Sequence, residues 1–247
     1  KIMLLGFIYT SRQSALLTKL KYFYFSKILN CVDCVVCHSV QEVEKNSSLF
    51  DLDNTDFEYI PYGLHLALPE AGINEYNGAP YAVSAGRSGR DYDLLSQCFS
   101  KLGYPLHIIC DANIEIKEQL IPKNIKLLKQ CYGDNYINEL AGANLVVIPI
   151  AVDGISAGQM VLLQAMALQK PIVITDTKTT GHYVQHGETA LMVEKGNLEQ
   201  MEKAVQELWN NESLANELSE NALLSFEKNY SMAAYIRNIS QLLKRNG

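Results

Sequence analysis

Leu145-Val146-Val147-Ile148-Pro149-Ile150-Ala151-Val152-Asp153-Gly154-Ile155-Ser156-Ala157-Gly158-Gln159-Met160-Val161-Leu162-Leu163-Gln164-Ala165-Met166-Ala167 is the stretch that decides the fold. It opens as an apolar, β-branched run (Leu145–Pro149), passes through a loop of small residues, and continues as an apolar helical segment over Gly158–Leu168. A short apolar run bounded by turn residues reads as a strand buried on both faces. A strand feeding a helix through a small-residue loop is half of a βαβ unit, the building block of a parallel sheet. The helix start carries free amides and a positive dipole end, which makes Ser156, Ala157, Gly158 and Gln159 a candidate anion site. Gln164 interrupts an otherwise apolar face and is a candidate contact for a ligand hydroxyl.

The same alternation continues on both sides of this stretch. Strands are predicted near Tyr81–Ala85, Leu106–Cys110, Ile125–Leu128, Pro171–Thr175 and Ala190–Val193. Helices are predicted between them, over about Asp91–Leu102, Ala112–Leu120, Asn135–Ala141 and Gly181–His186. Strands alternating with helices predict a doubly wound parallel sheet whose ligands bind beyond the strand carboxyl ends. After Gly196 the pattern is all helical, with Leu198, Met201, Val205 and Leu208 on one side, and Ser231 marks the start of a last helix carrying Tyr235, Ile239, Leu242 and Leu243. Before residue 65 the expected elements are strands at Ile2–Tyr9, Cys34–His38 and Phe57–Ile60 and a helix at Ser14–Leu29, with Ser39 and Glu42 spaced as a capping box. Ile60-Pro61-Tyr62-Gly63 and the polar stretch after it read as a boundary. Three parts result: 1–65, the closing elements of one α/β domain; 66–225, a Rossmann-like ligand-binding domain; and 226–247, a helix returning to the first part.

Composition narrows the function. Apolar residues make up 48% of the chain and charged residues 19%, so a buried core is expected throughout. A net charge of -6 argues against nucleic acid as a partner. Residues 1–50 stand apart, with six Lys/Arg against three acids. Within them Lys19, Lys21 and Lys27 alternate with Tyr22, Phe23, Tyr24 and Phe25, which is read either as a packed helix with solvated lysines or as a peripheral membrane contact. Six cysteines in or beside apolar runs fit reduced thiols and a cytoplasmic location, at the inner face of a membrane if that contact exists. No apolar run reaches the roughly 18 residues of a membrane span, and Ile2–Tyr9 is too short for a signal peptide.

A second candidate anion site lies at Ser84-Ala85-Gly86-Arg87-Ser88-Gly89-Arg90-Asp91, where a strand ends in a Gly-rich turn holding two arginines. Glycine allows close backbone approach, and arginine presents paired donors to phosphate oxygens. Other signals point elsewhere. Phe50-Asp51-Leu52-Asp53-Asn54-Thr55 matches the nucleophile motif of haloacid-dehalogenase-like phosphatases, with Asp51 as nucleophile. Cys31-x-x-Cys34-x-x-Cys37 has metal-ligand spacing, although no fourth cysteine follows nearby. Asp91 and Asp93 read most simply as helix-start acids, and His182 and His186 as surface histidines sharing a helix face.

The order Gly86-Arg87-x-x-Arg90-Asp91, Pro149, Leu163-Gln164-Ala165-Met166-Ala167-x-x-Lys170-Pro171, Tyr183-Val184-x-x-Gly187-x-Thr189 resembles the donor domain of family 4 glycosyltransferases of the GT-B fold. The similarity runs from about Val35 to the end. It implies a retaining, metal-independent transferase without cofactor, moving a sugar from a UDP- or GDP-linked donor to a glycan or lipid-linked acceptor. Arg87 and Arg90, the latter where many members have lysine, would then neutralise the diphosphate leaving group. Gly86 and Ser156 through Gln159 would hold phosphate and sugar. Gln164 takes the position of the second glutamate of the family's E-x7-E motif, whose usual ligand is the nucleotide ribose. Ser156 takes that of the first, so both carboxylates are absent. That departure leaves room for a non-catalytic nucleotide-sugar-binding module. The substrate-facing start of the acceptor domain is expected to lie outside this sequence.

Overall fold

The structure is a computed structural model and describes residues 2–7, 9, 14–52, 55–74, 76–87, 89–111, 121–152 and 157–245. The chain forms two compact units, one of residues 1–63 with 232–247 and one of residues 64–231.

The larger unit is built on six parallel strands: β4 (Ala82–Ala85), β5 (Leu106–Cys110), β6 (Ile125–Lys129), β7 (Leu145–Ile148), β8 (Ile172–Thr175) and β9 (Leu191–Val193). Their spatial order is β6-β5-β4-β7-β8-β9. The chain therefore winds outward in one direction from β4, returns, and winds outward in the other from β7. The crevice beside β4 and β7 is a topological switch point, where open α/β sheets bind ligands. Both sheet faces are covered, which is why the strands read as continuous apolar runs rather than alternating ones. On one face Ala82, Leu106, Ile108, Leu145, Val147 and Val173 pack with α3 (Tyr92–Leu102) and α6 (Leu198–Asn210). The alternate residues Val83, Val146, Ile148, Ile172 and Ile174 point the other way and are equally buried. Among the described residues the remaining α-helices of this unit are α4 (Gly133–Gly142), α5 (Gln159–Ala167) and α7 (Glu212–Asn229). Asp91 caps α3, accepting from the Leu94 amide at 3.0 Å, as a helix-start acid should.

The smaller unit has three parallel strands in the order β1-β2-β3, namely Met3–Leu5, Cys34–Cys37 and Asp56–Tyr59. On one side of this sheet α1 (Ala15–Leu29) and α2 (Val40–Phe50) enclose Phe7, Tyr9, Val35 and Cys37. On the other, α8 (Met232–Arg245) brings Tyr235, Ile239 and Leu242 against Cys34, Val36 and Ile60. The Ser39 half of the expected capping box at α2 is made, with Ser39 Oγ accepting from the Glu42 amide at 3.1 Å.

Several sequence readings need correction. The first strand stops at Leu5, because Gly6 turns the chain at φ +74° and the Gly6 and Phe7 amides both donate to the Val36 carbonyl. The expected helix at Gly181–His186 is a 3-10 turn over Thr180–His182; the Thr180 hydroxyl donates to the Thr175 carbonyl, and Gln185–Thr189 closes its own turn through the Thr189 hydroxyl. Residues 226–231 stay with the larger unit, since Tyr230 donates its hydroxyl to the His182 and Tyr183 carbonyls at 3.2 Å. The helix expected at Ala112–Leu120 lies outside the described residues. Asp51 ends α2 in a left-handed conformation (φ 38°), whereas the phosphatase motif places its nucleophile at the end of a strand. Asp53 and Asn54 of that motif lie outside the described residues. Cys34 and Cys37 sit three apart on one strand and so point to opposite faces, one into each core, which prevents them from sharing a metal. Burial pushes both thiols up to about 11, as inert core cysteines require.

The seating of α8 is testable by equilibrium unfolding. Leu242 is buried, and Leu242→Ala should destabilise the chain by about 2–4 kcal/mol. Its neighbour Leu243 is exposed, and Leu243→Ala should change stability by less than about 0.5 kcal/mol.

Candidate functional site

A cleft of about 720 Å³ opens at the carboxyl ends of β4, β5, β6 and β7, at the switch point. Gly86, Arg87 and Arg90 line it from the β4 turn, Asp111 from β5, Tyr136 from α4, and Ala157, Gly158 and Gln164 from the start and body of α5. Two stretches 60 residues apart in sequence are joined here by backbone alone. The Asp91 amide donates to the Pro149 carbonyl at 3.1 Å, and the Ala151 amide donates to the Gly89 carbonyl at 2.9 Å. This short antiparallel bridge holds the turn after β4 against the turn after β7.

The turn after β4 needs glycine. Gly86 has φ +143°, and a Cβ there would lie 2.5 Å from Arg90 Nη2. The Arg90 side chain thus folds back across Gly86, its Nε donating to the Ala85 carbonyl at 3.0 Å. Tyr92 donates to the Gly86 carbonyl at 2.8 Å and pins the same turn from beneath. A Cβ on Gly89, at φ +67°, would meet Val152 Cγ2 at 2.5 Å. Gly158, at φ +89°, caps α5 without a side-chain hydrogen bond and packs against Ile148 and Ile150. That cap brings the first turn of α5 to the cleft wall.

The two arginines are physically unlike. Burial holds the Arg90 guanidinium below its ordinary value, while the phenols of Tyr92 and Tyr136 act to raise it. An anion reaching Arg90 meets a donor that is already oriented and partly dehydrated, the arrangement that makes electrostatic contacts strong. The Arg87 side chain is 73% exposed, with Nε 3.4 Å from Asp111. Exposed pairs of this kind contribute only about 0–1 kcal/mol, so an incoming anion competes for Arg87 on nearly even terms.

Gln164 is held by Tyr136, whose hydroxyl donates to Oε1 at 2.7 Å. Burial pushes the Tyr136 phenol up to about 12, opposed by nearby Arg90, which keeps it a hydrogen-bond donor at neutral pH. With Oε1 accepting, the Nε2 amide is the end of Gln164 left to meet a ligand. A glutamate here would offer acceptors; this cleft offers a donor.

The structure therefore brings Gly86, Arg87, Arg90, Ala157, Gly158 and Gln164 together in one cleft. It does not place Gln159 among the lining residues: its Nε2 donates to Tyr183 Oη at 3.1 Å. Ser156 lies outside the described residues. Sequence reasoning missed Tyr92, Tyr136 and Asp111. Each follows a strand carboxyl end closely, Tyr92 and Tyr136 in the first turn of a helix, and a tyrosine at that position on a buried face is the signal that was available.

Comparison with known proteins bears on this arrangement. Residues 112–224 match the model of the family described as glycosyl transferases group 1. The chain overlays sucrose-phosphate synthase from Thermosynechococcus elongatus with a TM-score of 0.71, at 18% identity, over 95% of this chain and 64% of that one. The fold is that of the GT-B glycosyltransferases. The Anabaena protein HepE, solved in complex with UDP-glucose, overlays this GT-B chain with a TM-score of 0.67, at 14% identity, over 92% of this chain and 68% of HepE. In sequence, 183 residues are 26% identical to an uncharacterized glycosyltransferase of Methanocaldococcus jannaschii, covering 69% of this chain and 51% of that protein. The GT-B chain thus spans about half the length of this curated relative.

The architecture of the cleft makes two substitutions informative. Gly86→Ala should lower stability by about 1–3 kcal/mol in denaturant unfolding, because the added Cβ meets both an unfavourable φ and the Arg90 guanidinium. Tyr136→Phe should lower stability by only about 1 kcal/mol, the net value of one hydrogen bond. No measurable loss of stability on Gly86→Ala would contradict the described packing.

Proposed function

We propose that this chain is the donor-binding part of a glycosyltransferase that moves a sugar from a nucleotide-sugar to a glycan or lipid-linked acceptor, with retention and without a metal ion. The observation that carries this reading is the half-buried Arg90 folded over Gly86 at the switch point, facing the first turn of α5 across the same cleft. The match to group 1 glycosyl transferases over residues 112–224 and the likeness to a fold solved with UDP-glucose support it.

In this reading the diphosphate lies between the β4 turn and α5. When the bond between the anomeric carbon and the phosphate oxygen breaks, the electron pair passes to the departing diphosphate, an acceptor hydroxyl oxygen takes its place on the sugar, and the hydroxyl proton passes to the departing diphosphate. Arg90, Arg87 and the amides near Gly158 stabilise the new charge without reorganising. The contribution expected of such oriented donors is several kcal/mol of barrier reduction. Gln164, presenting an amide rather than a carboxylate, takes the ribose side of the cleft and donates to a ribose oxygen. UDP- or GDP-linked sugars are the donor class; hexose transfer is the expected reaction type.

A second reading is favoured by one specific feature. Gln164 and Ser156 stand where the resembling family has glutamates, so the chain fits a nucleotide-sugar-binding module without turnover. The two readings separate on product formation: donor hydrolysis or sugar transfer supports the enzyme, and saturable binding without either supports the module.

Calorimetric titration with UDP, GDP, ADP and their sugar conjugates tests the shared core of both. At least one should bind saturably, Arg90→Ala should weaken it about thirtyfold or more, and Arg87→Ala should weaken it less. No heat or thermal shift with any of them would contradict the reading.

A further inference from the structure

Helix α1 has two sides of different character. Its inner side packs Phe25 and Leu29 onto Phe7, Tyr9 and Phe50, with the Phe7 and Phe25 rings 5.5 Å apart. Its outer side is apolar as well: Leu16 is 68% exposed, Leu20 57%, Phe23 59% and Tyr24 63%. These four stand at i, i+4, i+7 and i+8 and so form one stripe. A surface helix ordinarily turns a polar face to water, and a contiguous apolar stripe on the outside marks an interaction surface.

Charge identifies what covers it. Residues 14–30 contain no Asp or Glu and three lysines. Lys27 lies in the stripe itself, its Nζ 4.6 Å above the Phe23 ring, and Lys19 stands one turn before Phe23 at its edge. Lys21 behaves differently from the sequence reading that grouped all three: its Nζ is 4.8 Å over the Tyr9 ring, on the core side. The asymmetry extends to the whole unit. Residues 1–63 and 232–247 hold nine Lys/Arg against seven acids, while residues 64–231 hold twelve against twenty. The helix is 15 residues long, about 22 Å, and among the described residues no helix is long and apolar enough to cross a membrane. A short helix with leucine and aromatic residues on one side and lysines at its margin suits the plane of a lipid interface.

We propose that the outer face of α1 lies on an anionic bilayer surface, with Leu16, Leu20, Phe23 and Tyr24 at the boundary between headgroups and acyl chains. Lys19 and Lys27 contact lipid phosphates there. The inference stands apart from the cleft chemistry, because none of these residues lines the cleft.

Flotation of the full chain with vesicles tests it. The chain should float with vesicles containing phosphatidylglycerol, and far less with pure phosphatidylcholine or at high salt. Lys19→Ala with Lys27→Ala should lower partitioning about thirtyfold, as expected for two lysines near an anionic surface. Leu20→Ser with Phe23→Ser should abolish it, with the melting temperature and UDP binding unchanged. Absence of flotation with the phosphatidylglycerol vesicles, or equal flotation of the native chain and both double variants, overturns the proposal. So does a dimer in sedimentation that Leu20→Ser with Phe23→Ser dissociates, which would assign the face to a second copy.

Discussion

Two backbone hydrogen bonds, Asp91 to Pro149 and Ala151 to Gly89, hold the turn after β4 against the turn after β7, and the rest of the cleft depends on them. They span the one place in the sheet where the winding direction reverses. The turns leave no room for a Cβ at Gly86, where the Arg90 side chain lies, or at Gly89, where Val152 lies, and both glycines have positive φ. Arg90, between the two joining bonds, folds back across Gly86 and is half-buried there. Asp91, next in sequence, is then placed to cap α3, and Tyr92 to pin the turn. A single constraint on the main chain thus orients a cation, starts a helix and shapes one wall of the cleft.

The division of labour between the two arginines follows from their surroundings rather than from their identity. Arg90 is partly dehydrated and fixed; Arg87 is hydrated and paired loosely with Asp111. A fixed donor lowers the reorganisation needed when charge develops, whereas a mobile one can follow a ligand as it enters and leaves. Across the cleft, Tyr136 holds the Gln164 amide where the family that the sequence resembles has a carboxylate. The lining described on that side is short of negative charge, which suits an anionic ligand despite the acidic balance of the unit as a whole.

Much of the larger sheet was legible in the sequence because its strands are buried on both faces, so each appears as an unbroken apolar run. The runs at Leu106, Leu145 and Ile172 are of this kind, and the structure places their strands within a residue or so of the expected ends. Where apolar residues serve a core without pairing, the same signal misleads. Phe7 and Tyr9 are buried in the smaller unit but lie beyond the strand that Gly6 terminates. The arginines and glycines of the cleft were visible because their chemistry is unusual at a strand end. Tyr92 and Tyr136 were missed because their signal is positional rather than chemical, a tyrosine in the first turn of a helix that follows a strand end. Gln159 shows the converse: adjacent to the helix start in sequence, it turns to Tyr183 in space.

Amide chemical-shift mapping during a UDP titration tests the central claim most directly, that the joined turns of β4 and β7 form the anion site. The largest changes should fall on Gly86, Arg87, Gly89 and Arg90 and on the first turn of α5 from Ala157 to Val161, with the Arg90 side-chain resonance moving in step. Changes centred elsewhere, such as around Asp51 at the end of α2, with these amides unmoved at saturation, would contradict it.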